Sequence, residues 1–137
     1  MEEMTPFKNL TRVYQKSDVI FEEKSMGNEM YVIHSGKVKL STKAPGREEM
    51  LATFGPGEFF GEMALVDPAP RSAKATAEED NTQLLVLDHA RFLYLVGQQP
   101  VFALRIMQTL CQRIRDGNIL YAGLLEKTAG KNLGSSR

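Results

Sequence analysis

Phe59-Phe60-Gly61-Glu62-Met63-Ala64-Leu65-Val66-Asp67-Pro68-Ala69-Pro70-Arg71-Ser72-Ala73 brings a glycine, a carboxylate, a guanidinium, a hydroxyl and two prolines into one short stretch. If Glu62 to Val66 form one helical turn entered through Gly61, the first amide N–H groups of that turn have no partner within it and attract an anion. Gly61 lets the backbone come close to a ligand, while Pro68 and Pro70 stiffen the return path. Arg71 then arrives beside those amides, and a guanidinium binds two phosphate oxygens in parallel and keeps its charge at any working pH. Ser72 adds a hydroxyl or its amide. Glu62 narrows the ligand, because a carboxylate repels phosphate unless a ligand hydroxyl donates to it. A ribose 2′-OH held close to the phosphate meets that need. The plainer alternative is a surface ion pair between Glu62 and Arg71, worth about 0–1 kcal/mol. The company of Gly61, Ala64, Pro70 and Ser72 favours the phosphate-sugar site.

Upstream of this stretch the chain reads as short strands. Val19-Ile20-Phe21, Met30-Tyr31-Val32-Ile33 and Lys37-Val38-Lys39-Leu40 are β-prone runs separated by Gly27-Asn28 and Ser35-Gly36, punctuation that predicts hairpins. Lys39-Leu40-Ser41-Thr42 is expected to pair with Met50-Leu51-Ala52-Thr53-Phe54 across Pro45-Gly46. Downstream, residues 73–77 and 82–87 supply two further strands. Even spacing of this kind predicts a sandwich or barrel. Met4, Phe7 and Leu10 suggest a short N-terminal helix, limited by Pro6.

After the strands, Asp88 is a candidate N-cap for a helix over about 88–97 that carries Phe92, Leu93, Leu95 and Val96 and that Gly97 stops. Pro100 suits the first turn of a longer helix over 100–126. Met107, Ile114 and Tyr121, with Ala103, Leu110, Gly117 and Leu124, trace an a/d seam along it. That seam fits either docking on the β domain or pairing in a homodimer. Asp116-Gly117-Asn118 costs on the order of 2 kcal/mol against alanine, so a bend or fraying is expected there. Residues 128–137 are polar and glycine-rich and are expected to be disordered.

Composition limits the function. The chain has 137 residues, 42% hydrophobic and 25% charged, with 17 Lys+Arg against 17 Asp+Glu. One packed domain over 1–127 is expected, and there is no net positive charge to hold DNA by general attraction. No apolar run reaches membrane-spanning length, the acidic N-terminus is unlike a signal peptide, and the single Cys111 forms no internal disulfide, which together suggest a cytoplasmic setting. His34 and His89 are too few and too far apart for a metal cage, which also argues against a cupin-like metal enzyme or a haem sensor. Cys111 reads as a packing residue within the long helix, and Arg113 and Arg115 as a solvated face.

Phe60-Gly61-Glu62-Met63-Ala64-Leu65 followed by Pro70-Arg71-Ser72-Ala73 resembles the phosphate-binding cassette of the cyclic nucleotide-binding domain family, shared by catabolite activator proteins, cyclic-nucleotide-dependent kinases and gated channels. Gly27, Tyr31-Val32-Ile33, Gly36 and Gly57-Glu58-Phe59-Phe60 extend the likeness over most of residues 10–126. The resemblance implies an antiparallel β-roll, mainly β and jelly-roll-like (β-roll about 11–87), with a short N-terminal helix and two C-terminal helices. It implies that Glu62 binds the ribose 2′-OH, Arg71 the exocyclic phosphate oxygens, and the amides of Ala64 and Ser72 the rest of the phosphate. Gly61, Met63 and Ala73 are supporting cassette positions, and Asn118 or Tyr121 would contact the base. Ser72 marks neither adenine nor guanine, and cyclic AMP is the preferred ligand, with cyclic GMP second. The implied function is a non-enzymatic sensor with no cofactor or metal, relaying occupancy through its C-terminal helices to a protein partner. The alternative is a dimerising interaction module of the same fold that has lost its ligand.

Overall fold

Alternation along residues 29–35 sets up the core: Tyr31 and Ile33 point to one face of their strand, and both are buried. The computed structural model describes residues 11–135, so the short helix expected near the N-terminus lies outside the described residues. The elements in order are β1 (Thr11–Tyr14), β2 (Val19–Phe21), β3 (Met26–Gly27), β4 (Glu29–Ser35), β5 (Val38–Ala44), β6 (Arg47–Phe54), β7 (Phe59–Phe60), α1 (Glu62–Val66), β8 (Ala69–Pro70), β9 (Lys74–Ala77), β10 (Thr82–Asp88), α2 (His89–Gln98) and α3 (Pro100–Ser135). The chain divides into two units, one up to Leu93 and one from Tyr94 on.

In the first unit, two four-stranded antiparallel sheets, ordered β1-β10-β4-β7 and β2-β9-β5-β6, form a β-roll, and β3 pairs separately with β8. Tyr31, Ile33, Phe60, Leu84 and Val86 from the first sheet meet Val38 and Ala75 from the second. Burying apolar faces of this size is the main stabilising term of such a fold. An aromatic stack lies at the centre of this core. Tyr31 and Phe60 are cross-strand partners with ring centroids 5.1 Å apart. Phe54 stacks on Phe60 at 6.0 Å, and Phe21 tilts against Tyr31 at 5.8 Å.

The expected β5–β6 pairing is present and extends from Val38↔Phe54 to Ala44↔Arg47 around Gly46, with a register shift at Leu40/Ser41. The two hairpins expected at Gly27-Asn28 and Ser35-Gly36 are not. β3 pairs with β8, while β4 and β5 belong to different sheets. Gly36 is instead a corner through which the chain crosses between sheets, with φ of +95° and no room for a side chain, since a Cβ would stand 2.3 Å from Thr82 Oγ1. Turn residues signal that a chain reverses, and only packing decides which strand it returns to.

The helices begin as expected. Asp88 Oδ1 accepts the Arg91 N–H at 2.8 Å, the side-chain cap predicted for α2, and Pro100 is the first residue of α3. α2 continues through Gly97 to Gln98. α3 continues through Asp116-Gly117-Asn118, where a bend or fraying is expected, and runs past residue 126 to Ser135, where the sequence suggests a disordered tail. Gln112 Nε2 donates to Asp116 Oδ1 at 2.9 Å and Arg115 Nη1 to Gln112 Oε1 at 3.2 Å, contacts that support this turn. Interrupting a helix also requires a second, costly nucleation. Ala122, Leu124, Leu125, Glu126 and Lys127 are good helix formers, and they outweigh the isolated Gly130 and Gly134. Cys111 is exposed, which corrects its reading as a packing residue: it lies off the apolar stripe of α3. On the seam, Met107, Ile114 and Leu124 are exposed, and Ala103 and Leu110 are half-buried.

Candidate phosphate-sugar site

α1 forms over Glu62–Val66, and the residue before it, Gly61, is left-handed at φ 77°. A side chain at Gly61 would be strained in that conformation, and its Cβ would also stand 2.9 Å from Arg71 Nη1. Ala64 and Leu65 anchor the turn in the core, while Met63 is exposed. Glu62 is half-buried, Ser72 is exposed and Ala73 is buried. The cassette residues from Gly61 to Ala73 are therefore gathered around one turn and its return strand. Asn118 is exposed on α3, and Tyr121 lies on the same helix with its side chain outside the described residues.

Arg71 is the centre of this arrangement and is only 7% exposed. Its backbone is held from both sides: its N–H donates to the Ser25 carbonyl and its carbonyl accepts the Lys24 N–H, each at 2.7 Å. Lys24 reaches this position with a positive φ of 72°, in the turn that begins at Glu22. The guanidinium lies over the Phe21 ring, with Cζ 4.2 Å from the centroid. Nη1 donates to the Gly61 carbonyl at 3.1 Å and Nη2 to the Glu29 carbonyl at 2.8 Å. Nε is buried with no partner. A buried guanidinium bonded to two neutral carbonyls still has spare donors for an anion. This is not the exposed ion pair that the plainer reading of Glu62 and Arg71 envisaged.

Four residues of this site escape a reading of the cassette alone. Gly27 is more than a turn residue, because a Cβ there would stand 2.1 Å from Arg71 Nε. Phe21 and Tyr31 form the aromatic bed beneath the guanidinium. Glu29 supplies one of the two carbonyls, and its carboxylate accepts the Tyr31 hydroxyl at 3.1 Å and both terminal nitrogens of Arg12, at 3.4 and 3.2 Å. Burial, and next the charge of Glu29, push the Tyr31 phenol up to about 12, so it stays protonated and donates. One signal for Glu29 was available: it shares the core-facing register of Tyr31 and Ile33, where a carboxylate needs partners. Among the described residues no cluster of His, Cys, Asp or Glu is arranged to hold a metal ion, and no helix is long and apolar enough to cross a membrane.

An antiparallel β-roll that carries a short glycine-entered helix and a buried arginine defines a domain class built around a small anionic ligand. The chain belongs to the cyclic nucleotide-binding domain family, whose model matches residues 11–99. The cyclic AMP receptor protein of Thermus thermophilus is 40% identical over 109 residues, 79% of this chain and 50% of that protein. Human cGMP-dependent protein kinase 2 is 36% identical over 86 residues, 61% of this chain and 11% of the kinase. Among solved structures, the Thermus thermophilus catabolite activator protein superposes with a TM-score of 0.77 at 36% identity, covering 90% of this chain and 58% of that one. The chain spans about half the length of that receptor protein and of the CRP-like cAMP-activated regulator of Mycobacterium tuberculosis.

Proposed function

We propose that the chain is a cyclic nucleotide sensor that prefers cyclic AMP and acts by binding, without a chemical step of its own. The observation that carries this is the buried Arg71 guanidinium, with Nε unpartnered and Nη1 bonded to the carbonyl of Gly61, the residue that enters α1. Arg71 and the amides of Ala64 and Ser72 take the cyclic phosphate, Glu62 accepts the ribose 2′-OH, and the base falls to Asn118 or Tyr121. The preference for cyclic AMP is supported by the receptor named for it, which matches more of this chain at higher identity than the cGMP-dependent kinase does. Ligand shifts the C-terminal helices only to the extent that it binds one arrangement better than the other, and a protein partner in the cytoplasm reads that shift.

Titration calorimetry with cyclic AMP and cyclic GMP tests the sensor: heat with cyclic AMP, and weaker binding of cyclic GMP, are expected. Silence with both would leave a dimerising module that has lost its ligand. Glu62→Gln should bind cyclic AMP more weakly and lose most of its rejection of the 2′-deoxy analogue. Equal discrimination by variant and wild type would remove Glu62 from the ribose.

The exposed Met107, Ile114 and Leu124 on α3 favour a homodimer joined through that helix. Light scattering should then report twice the chain mass, and a monomer at high concentration would count against the seam.

A further inference from the structure

Glu29 places a carboxylate close to the group that must receive the ligand's phosphate. Its own carbonyl lies 2.8 Å from Arg71 Nη2. A glutamate side chain is long enough to bring its carboxylate to a cation that its carbonyl already touches. Such a contact would be a charge-assisted bond in a largely buried setting, stronger than the carbonyl bond it replaced, and it would occupy the donors a phosphate needs. In the structure the carboxylate is turned elsewhere. Arg12, reaching from β1, holds it with two nitrogens, and the Tyr31 hydroxyl donates to the same oxygen that Arg12 Nη1 contacts. Tyr31 is itself fixed by stacking on Phe60, so its hydroxyl is a rigid tether. Arg12 is the more exposed partner, with its side chain half exposed at the end of the bridge.

We propose that Arg12 is a positioning residue for ligand binding: by holding the Glu29 carboxylate it keeps an internal anion away from Arg71 and leaves the guanidinium open to phosphate. The inference rests on the reading of Arg71 as the phosphate anchor. It concerns residues outside the cassette, on β1 and at the start of β4, and it gives the Arg12–Glu29 bridge a function that its modest value as a surface ion pair would not explain.

The test is calorimetry with cyclic AMP on four forms of the full chain: wild type, Arg12→Ala, Glu29→Gln and the double variant. Arg12→Ala should raise Kd about three- to tenfold, because Glu29 then competes for Arg71. Glu29→Gln should bind at least as tightly as wild type, since the main-chain carbonyl and the Tyr31 bond are kept while the competing charge is gone. The double variant should recover wild-type affinity, a charge-specific rescue that a merely structural role for Arg12 would not produce. An Arg12→Ala chain that binds like wild type, or a double variant as weak as Arg12→Ala, overturns the proposal. A wild-type chain that binds neither cyclic nucleotide overturns the sensor reading itself, and this inference with it.

Discussion

Arg71→Ala is expected to weaken cyclic nucleotide binding by about 2–5 kcal/mol, the usual cost of truncating one partner of a buried, hydrogen-bonded charge pair. The lower end of that range is already a rise in Kd of roughly thirtyfold. The reason is geometric as well as electrostatic. Arg71 is held at its backbone by Lys24 and Ser25, over the ring of Phe21, and by the carbonyls of Gly61 and Glu29, so the cation is in place before ligand arrives. Arg71→Lys should recover only part of the affinity, because an ammonium cannot reach both carbonyls and offer a parallel pair of donors to phosphate. Calorimetry on chains whose circular dichroism matches wild type would measure this. An Arg71→Ala chain with unchanged affinity would place the ligand elsewhere.

Phe60→Ala should be the most damaging core substitution, lowering stability by about 3–5 kcal/mol. Phe60 is 1% exposed and lies among Tyr31, Phe54 and Phe21, so its removal opens a void that three neighbouring rings line but cannot readily fill. It also directly precedes Gly61. The same void would loosen the entry to α1 and the bed beneath Arg71, and affinity should fall along with stability. Urea unfolding followed by circular dichroism reads the first effect and calorimetry the second. A loss of stability under about 1 kcal/mol would show that the stack relaxes around the gap and is not the rigid floor described above.

The strands and the helix starts were legible because their signals are local. Asp88 caps α2 and Pro100 opens α3 through contacts or constraints within a few residues. The β5–β6 hairpin was legible because Pro45-Gly46 supplies a tight turn between two β-prone runs. The hairpins expected at Gly27-Asn28 and Ser35-Gly36 had the same local signals and paired differently. Val38 and Tyr31 meet across the core from opposite sheets, and that choice depends on apolar faces closing over one another. The weak helix formers Asp116-Gly117-Asn118, where a bend or fraying was expected, do not end α3, because propensity is weak against the cooperativity of a long helix.

For the site, the stretch from Phe59 to Ala73 by itself carried the proposed chemistry, an anion at amides and a guanidinium and a sugar hydroxyl at a carboxylate, and it put glycine where the backbone turns left-handed. Those properties belong to residue types and to their spacing along one short segment. Only the tertiary structure decided how Arg71 is held. Gly27, Phe21, Glu29 and Arg12 come from strands more than forty residues before it, and sequence distance says nothing about which carbonyl a guanidinium will find. The burial of Arg71, its unpartnered Nε and the bridge that restrains Glu29 all follow from two sheets and the β3–β8 pair converging on one side chain.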